Sequence, residues 1–141
     1  MRRANSWIGS LALLTACGGL TAGPEIAATT PVPASRDSAY TRAQRALAAE
    51  LFTPDVTYST GGHLTAMRYP SSSARMGSAA ACRLRLALDI TGDAGQAAVK
   101  SNSRWISADP MLDKAPAVCE QERQDVLGRL EMVIAPPPPA H

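Results

Sequence analysis

The sharpest pattern along the chain is the alternation in residues 82–90 (CRLRLALDI). Cys82, Leu84, Leu86, Leu88 and Ile90 fall on one side of an extended strand, and Arg83, Arg85, Ala87 and Asp89 on the other. One face is therefore buried and the other wet, as in an antiparallel sheet covered on a single side. Residues 91–95 (TGDAG) carry turn chemistry, so the chain doubles back. Residues 96–106 supply a return strand with Val99 and Trp105-Ile106 as apolar positions, but their pattern does not fix its register. Two weaker β-prone runs flank Gly61-Gly62 within residues 56–69 and read as a hairpin or an edge strand.

Helical spacing governs two other stretches. Residues 36–52 are rich in Ala, Arg, Leu and Glu, with Tyr40, Ala43, Leu47 and Leu51 on one stripe, Asp37 or Ser38 to cap the start and Pro54 to end it. This helix packs on the domain or, as the alternative, lies on a membrane. Asp113 is a favoured cap before Lys114-Ala115-Pro116-Ala117, and a helix follows to Leu127 with Gly128 as its stop. Ala115, Val118, Cys119, Glu122 and Val126 share one face of it. Beyond Gly128, Leu130, Met132 and Ile134 alternate with Glu131 and Val133 as a last strand, which prolines 136–139 end. The fold class expected is α+β: a small two-layer domain with a three-stranded antiparallel sheet (β-β-α-β), one main helix on it and an N-terminal helix.

Composition changes the picture at the N-terminus. Arg2 and Arg3 precede the short apolar run 7–16 (WIGSLALLTA), which has the length of a signal segment and is too short to span a bilayer about 30 Å thick. Leu14-Thr15-Ala16-Cys17 resembles the bacterial lipobox. The resemblance implies lipidation of Cys17, cleavage before it and an anchor at the membrane; a plain secretory signal cut after Ala16 is the alternative. Gly18 in place of Asp after the cysteine favours, by the same resemblance, the outer membrane, facing the periplasm. Without Arg2 and Arg3 the 14 basic residues fall to 12, against 12 acidic ones. That balance argues against a nucleic-acid partner. Residues 18–35 hold three prolines and no apolar period, and read as a flexible tether spanning roughly 25 Å. The organisation expected is signal peptide 1–16, lipidated cysteine and spacer 17–35, N-terminal helix and weak β segment 36–68, main domain 69–135 and a Pro-rich tail 136–141.

Two further cysteines, Cys82 and Cys119, remain for an oxidising compartment, and one disulfide is the simplest use of them. Two free buried thiols are the alternative. Neither has a Cys or His at metal-ligand spacing, so no metal is expected. Cys82 faces the covered side of its strand and Cys119 lies on the helical stripe that would cover it. The pairing and the packing agree.

The pieces from Tyr69-Pro70 onward stand in a recognisable order: Ala74-Arg75-Met76-Gly77, the strand 82–90, the Gly turn 92–95, the strand 96–106, Ser107-Ala108, then Pro110-Met111-Leu112-Asp113 and an Ala-containing helix start. This order resembles the C-terminal domain of TonB-type energy transducers. Ala80, Ala108 and Pro116 depart from that pattern. The chain also lacks the transmembrane helix and long rod of a true transducer, so energy transduction does not carry over. The resemblance implies docking of a short partner segment at a sheet edge, here the strand holding Leu130, Met132 and Ile134.

Catalytic material is scarce. The two histidines are His63, beside a Gly-Gly turn, and His141, at the end of the tail; no Gly-x-Ser-x-Gly turn is present. Asp109 and Asp113 read as helix caps, and Trp105 as core or edge packing rather than a partner anchor. The expectation is a non-enzymatic, lipid-anchored protein of the bacterial envelope with no cofactor. It would dock an outer-membrane or periplasmic protein; a structural accessory lipoprotein of a transport or secretion complex is the alternative.

Overall fold

The Leu-rich alternation builds the centre of a sheet. In the computed structural model, which describes residues 22–55, 61–69, 82–107 and 115–139, residues Cys82–Gly92 form a strand that pairs along its whole length with another at Ala97–Ser107. The full order is β1 (Ile26–Val32), α1 (Arg36–Ala49), β2 (Phe52–Pro54), β3 (His63–Arg68), β4 (Cys82–Gly92), β5 (Ala97–Ser107) and α2 (Ala115–Ile134). The class is α+β as expected. The antiparallel sheet has five strands rather than three, in the order β1-β5-β4-β3-β2.

Leu84 lies opposite Trp105, Leu86 opposite Ser103, Leu88 opposite Ser101 and Ile90 opposite Val99, all on the inner face. The five inward residues of β4 are each exposed by no more than 2%. Burying a leucine this fully stabilises by roughly 1.5–3 kcal/mol, so β4 contributes a large share of the adhesion between sheet and helices. The turn after it depends on Gly92, whose φ of 127° suits glycine and whose added Cβ would sit 2.3 Å from the Gln96 carbonyl oxygen. Asp93 Oδ1 accepts from the N–H groups of Gly95 (2.9 Å) and Gln96 (3.0 Å). Those bonds hold its carboxyl below the usual carboxylate range.

Helices α1 and α2 cover the inner face. Ser35, rather than Asp37 or Ser38, caps α1, its hydroxyl accepting from Ser38 N–H at 3.1 Å. Ala39, Ala43, Ala46 and Leu47 are buried, and the small side chains bring the α1 backbone close to the sheet. The helix is over by Leu51, which takes a φ of 62° and is left exposed, before Pro54 is reached. Polar ties help hold the helices to their surroundings: Arg129 spans both oxygens of Glu50 at 2.8 and 3.0 Å, and Arg68 of β3 meets Glu122 of α2 at 3.1 Å.

Two expectations are corrected here. The expected spacer contains β1, which pairs with β5 from Ile26↔Ser103 to Val32↔Ala97. Its β-branched residues and inward-facing Val32, which is fully buried, outweigh the breaker signal of Pro31. A proline that donates no N–H is tolerated in a strand with one free side. The second correction concerns Leu130, Met132 and Ile134, which belong to α2 and not to a strand. Val126, Leu130 and Ile134 continue the helical stripe at steps of four and are buried, while Met132 is 66% exposed on another side. Gly128 does not stop the helix; it sits within it with nothing near its α-carbon that a Cβ would strike. Proline 136 lies beyond the end of α2, where the helix has already closed.

The disulfide joins Cys82 to Cys119 with the α-carbons 5.5 Å apart. It pins the first turns of α2 to the start of β4. Trp105 is buried on the inner face. Cys17, His141, Asp109 and Asp113 lie outside the described residues.

Candidate binding site

The sheet ends on one side in β1 and on the other in β2. Three residues long and ending in a proline, β2 offers little edge. The seven-residue β1 is the substantial one, and its second side has no strand partner among the described residues. Backbone groups along such a side can pair with an added strand.

What lies inside that edge makes it more than a bare margin. Ile26, Ala28, Thr30 and Val32 point toward the helices, yet only Val32 is buried; Ala28 is exposed and Thr30 partly so. Helix α2 runs above them without closing the space. A cleft of 280 Å³ opens there, with Ala28, Thr30 and Val99 on the sheet side and Leu127, Leu130 and Ile134 on the helix side. Gly128 forms part of its wall, and the missing side chain widens it. The volume lies just below the usual range for small-molecule pockets and suits one or two apolar side chains.

Polar groups mark the cleft's inner end. Arg123 is buried there; its Nη1 donates to Ser103 Oγ at 3.0 Å and its Nε to Glu120 Oε2 at 3.0 Å. The guanidinium holds the Glu120 carboxyl below its ordinary value, against the opposing effect of burial. Glu50 in turn pushes the Arg129 guanidinium up. Among the described residues no group of three or more His, Cys, Asp or Glu side chains converges in a way that could hold a metal ion.

The structure separates the residues singled out from sequence. Leu130 and Ile134 reach the cleft, as parts of its wall rather than as an edge strand; Met132 faces away. Cys82 and Cys119 meet. His63 is on the outer face of the sheet, paired with Asp89 across from it on β4. Sequence reasoning missed Ala28, Thr30, Arg123 and Gly128. The one usable signal for β1 was Ile26, Thr30 and Val32 recurring on even positions within an otherwise Ala/Thr/Pro-rich run.

The outer face differs in character. A depression of 610 Å³ with mixed polar and apolar walls lies among Thr53, Asp55, His63, Met67, Tyr69 and Arg85. Beside it, Arg83 stacks over the Tyr69 ring at 5.6 Å from its centre.

No protein-family model and no curated protein matches the chain. Among solved structures it is similar to TTHA0849 from Thermus thermophilus, at 14% identity and a TM-score of 0.45, over 79% of this chain and 97% of that one. A Thalictrum norcoclaurine synthase, a point mutant solved with a transition-state analogue, is more remote: 11% identity and a TM-score of 0.31 over 77% and 96% of the two chains. Neither likeness bears on the lipobox or on the TonB resemblance, and at these scores neither carries a function to this chain.

Proposed function

We propose that this chain is a non-enzymatic, lipid-anchored binding module of the bacterial envelope, held by Cys17 at the outer membrane and facing the periplasm. It takes an extended segment of an envelope protein as a sixth strand along β1, with apolar side chains of that segment seated in the cleft under α2. The observation that carries this reading is the coincidence of a seven-residue edge with an apolar cleft opening on its inward face. Main-chain hydrogen bonds along an edge give affinity, and pockets for alternate side chains give selectivity. The TonB resemblance supports the docking mode, moved from residues 130–134 to β1.

A photo-crosslinking residue in place of Ala28, in the full chain within cells, tests it. The expected result is a crosslink to an extended segment of one envelope protein, absent when the same group replaces Lys100 on the outer face. Gly128→Leu should abolish that crosslink by filling the cleft, without loss of folding, because the space at Gly128 is open. Crosslinks equal at both positions, or indifferent to Gly128→Leu, would refute the reading.

A further inference from the structure

We propose that Arg83, Arg85 and Arg104, on the outer face of the sheet, contact the phosphates of anionic lipid headgroups in the membrane that holds the chain. This rests on the lipid-anchor reading above and adds a second membrane contact to it. Three observations converge.

The first is where the chain leaves the domain. Ala22 bridges to Ile106, and Gly23 N–H donates to the Trp105 carbonyl at 3.0 Å. Gly23 is also held tight, since a Cβ there would fall 2.0 Å from the Trp105 ring. The sheet therefore holds the chain at Ala22, five residues after Cys17. Five extended residues reach at most about 18 Å, so the anchor keeps this end of the sheet close to the bilayer surface. The tether expected from sequence would have allowed the domain to stand well clear.

The second is what this end displays. Arg83 lies opposite Ile106, and Arg85 lies directly opposite Arg104. Like charges at opposed positions of a sheet repel at a Cβ separation of about 5 Å, and an anion bound between them would relieve that repulsion. Asp89 is the single carboxylate on the outward positions of β4 and β5, and it pairs with His63 further along the strand. Among the described residues none of the three arginines forms an ion pair. Arg104 uses its Nε on the Gly23 carbonyl at 2.8 Å, and the buried Nε of Arg83 has no partner among the described residues.

The third is the company the arginines keep. Tyr69 is 56% exposed beside Arg83, and the depression opens next to Arg85. Planar guanidinium groups suit phosphate oxygens, and an aromatic ring with a polar tip suits the headgroup level. Basic residues within a Debye length of an anionic bilayer are drawn to it, and the short reach from Cys17 lets these come that close.

The test uses the full lipidated chain reconstituted in two kinds of vesicle: phosphatidylcholine alone, and phosphatidylcholine with one third phosphatidylglycerol. Phenylglyoxal labelling, read residue by residue by mass spectrometry, reports arginine access. Labelling of each of Arg83, Arg85 and Arg104 should fall about fivefold in the anionic vesicles and recover in high salt, since each contact is worth about fivefold in partition. Arg45, exposed on α1, should label equally in both. Arg85→Glu with Arg104→Glu should return Arg83 to full reactivity in both vesicles. Equal labelling of the three arginines in the two vesicles would overturn the contact, as would equal protection at Arg45. Protection by soluble polyglutamate matching that by anionic vesicles would overturn the membrane as the occupant, in favour of an acidic protein. Incorporation of labelled palmitate, lost in Cys17→Ala, is scored separately. Its failure sinks the anchor reading and this proposal with it, whereas normal palmitate with unchanged arginine access sinks the headgroup contact alone.

Discussion

Strands β4 and β1 are held in the same sheet by opposite means. Five large or sulfur-bearing apolar residues alternate along β4 and all are buried, so the strand would seek a covered face in almost any context. Along β1 the residues are Ala, Thr and Pro between Ile26 and Val32, and only Val32 is buried; its place depends on the backbone of β5. One strand is specified by its own side chains and the other by a neighbour. The difference points to the second as the working strand: one that is not consumed by the core has an edge and an inner flank to offer.

That contrast predicts unequal sensitivities. Leu86→Ala should cost about 2–5 kcal/mol in denaturant unfolding, as a buried leucine does when it leaves a cavity. Thr29→Ala on β1, exposed and pointing outward, should stay within about 0.5 kcal/mol. Equal losses would break the comparison. Next in size is the clamp between β4 and α2. Replacing Cys82 and Cys119 together by serine should cost about 2–4 kcal/mol, read in the same way, because the bond closes a loop with a sequence separation of 37.

A smaller effect of opposite sign is expected in the cleft. Gly128→Ala should raise stability by about 0.5–1 kcal/mol in thermal unfolding, since a mid-helix glycine is costly and the added methyl meets nothing. A residue that weakens its own helix and widens a cleft marks a place where stability was not the only demand. A loss on Gly128→Ala would remove this support for the β1 side as the working side.

The smallest effect is electrostatic. Arg123 depresses the Glu120 carboxyl below its ordinary value near 4.5. The stabilisation is therefore complete above that value and is lost as pH falls through the lower, folded one. Unfolding midpoints below about pH 4 should drop more for the natural chain than for Glu120→Gln.

How much of this is legible in the sequence depends on how strongly each segment states its own period. Residues 82–90 alternate without exception, and the turn and return strand follow from them. Helix α1 is visible in its Ala/Arg/Leu composition, though its start reads two or three residues late because Ser35 falls at the end of an apparent spacer. Residues 130–134 cannot be settled locally. Leu130, Met132 and Ile134 satisfy a period of two over five residues, while Val126, Leu130 and Ile134 satisfy a period of nearly four over nine. The longer window wins because glycine inside a helix costs only about 1 kcal/mol, less than the burial of Leu130 and Ile134 contributes. The cleft is invisible for a related reason: its outer margin, Ala28 and Thr30, comes from β1, whose structure is imposed from a distance. The disulfide is legible because its two cysteines sit on faces already expected to meet.

The pairing of β1 with β5 also sets an order of events. Ile26 meets Ser103 from far across the chain, so a segment synthesised well before its mate is among the last that can take its place. Until residues 97–107 have emerged and turned back onto β4, β1 has no mate and is open to pairing with another copy of the chain. Slow closure of distant contacts and an uncovered strand together invite aggregation.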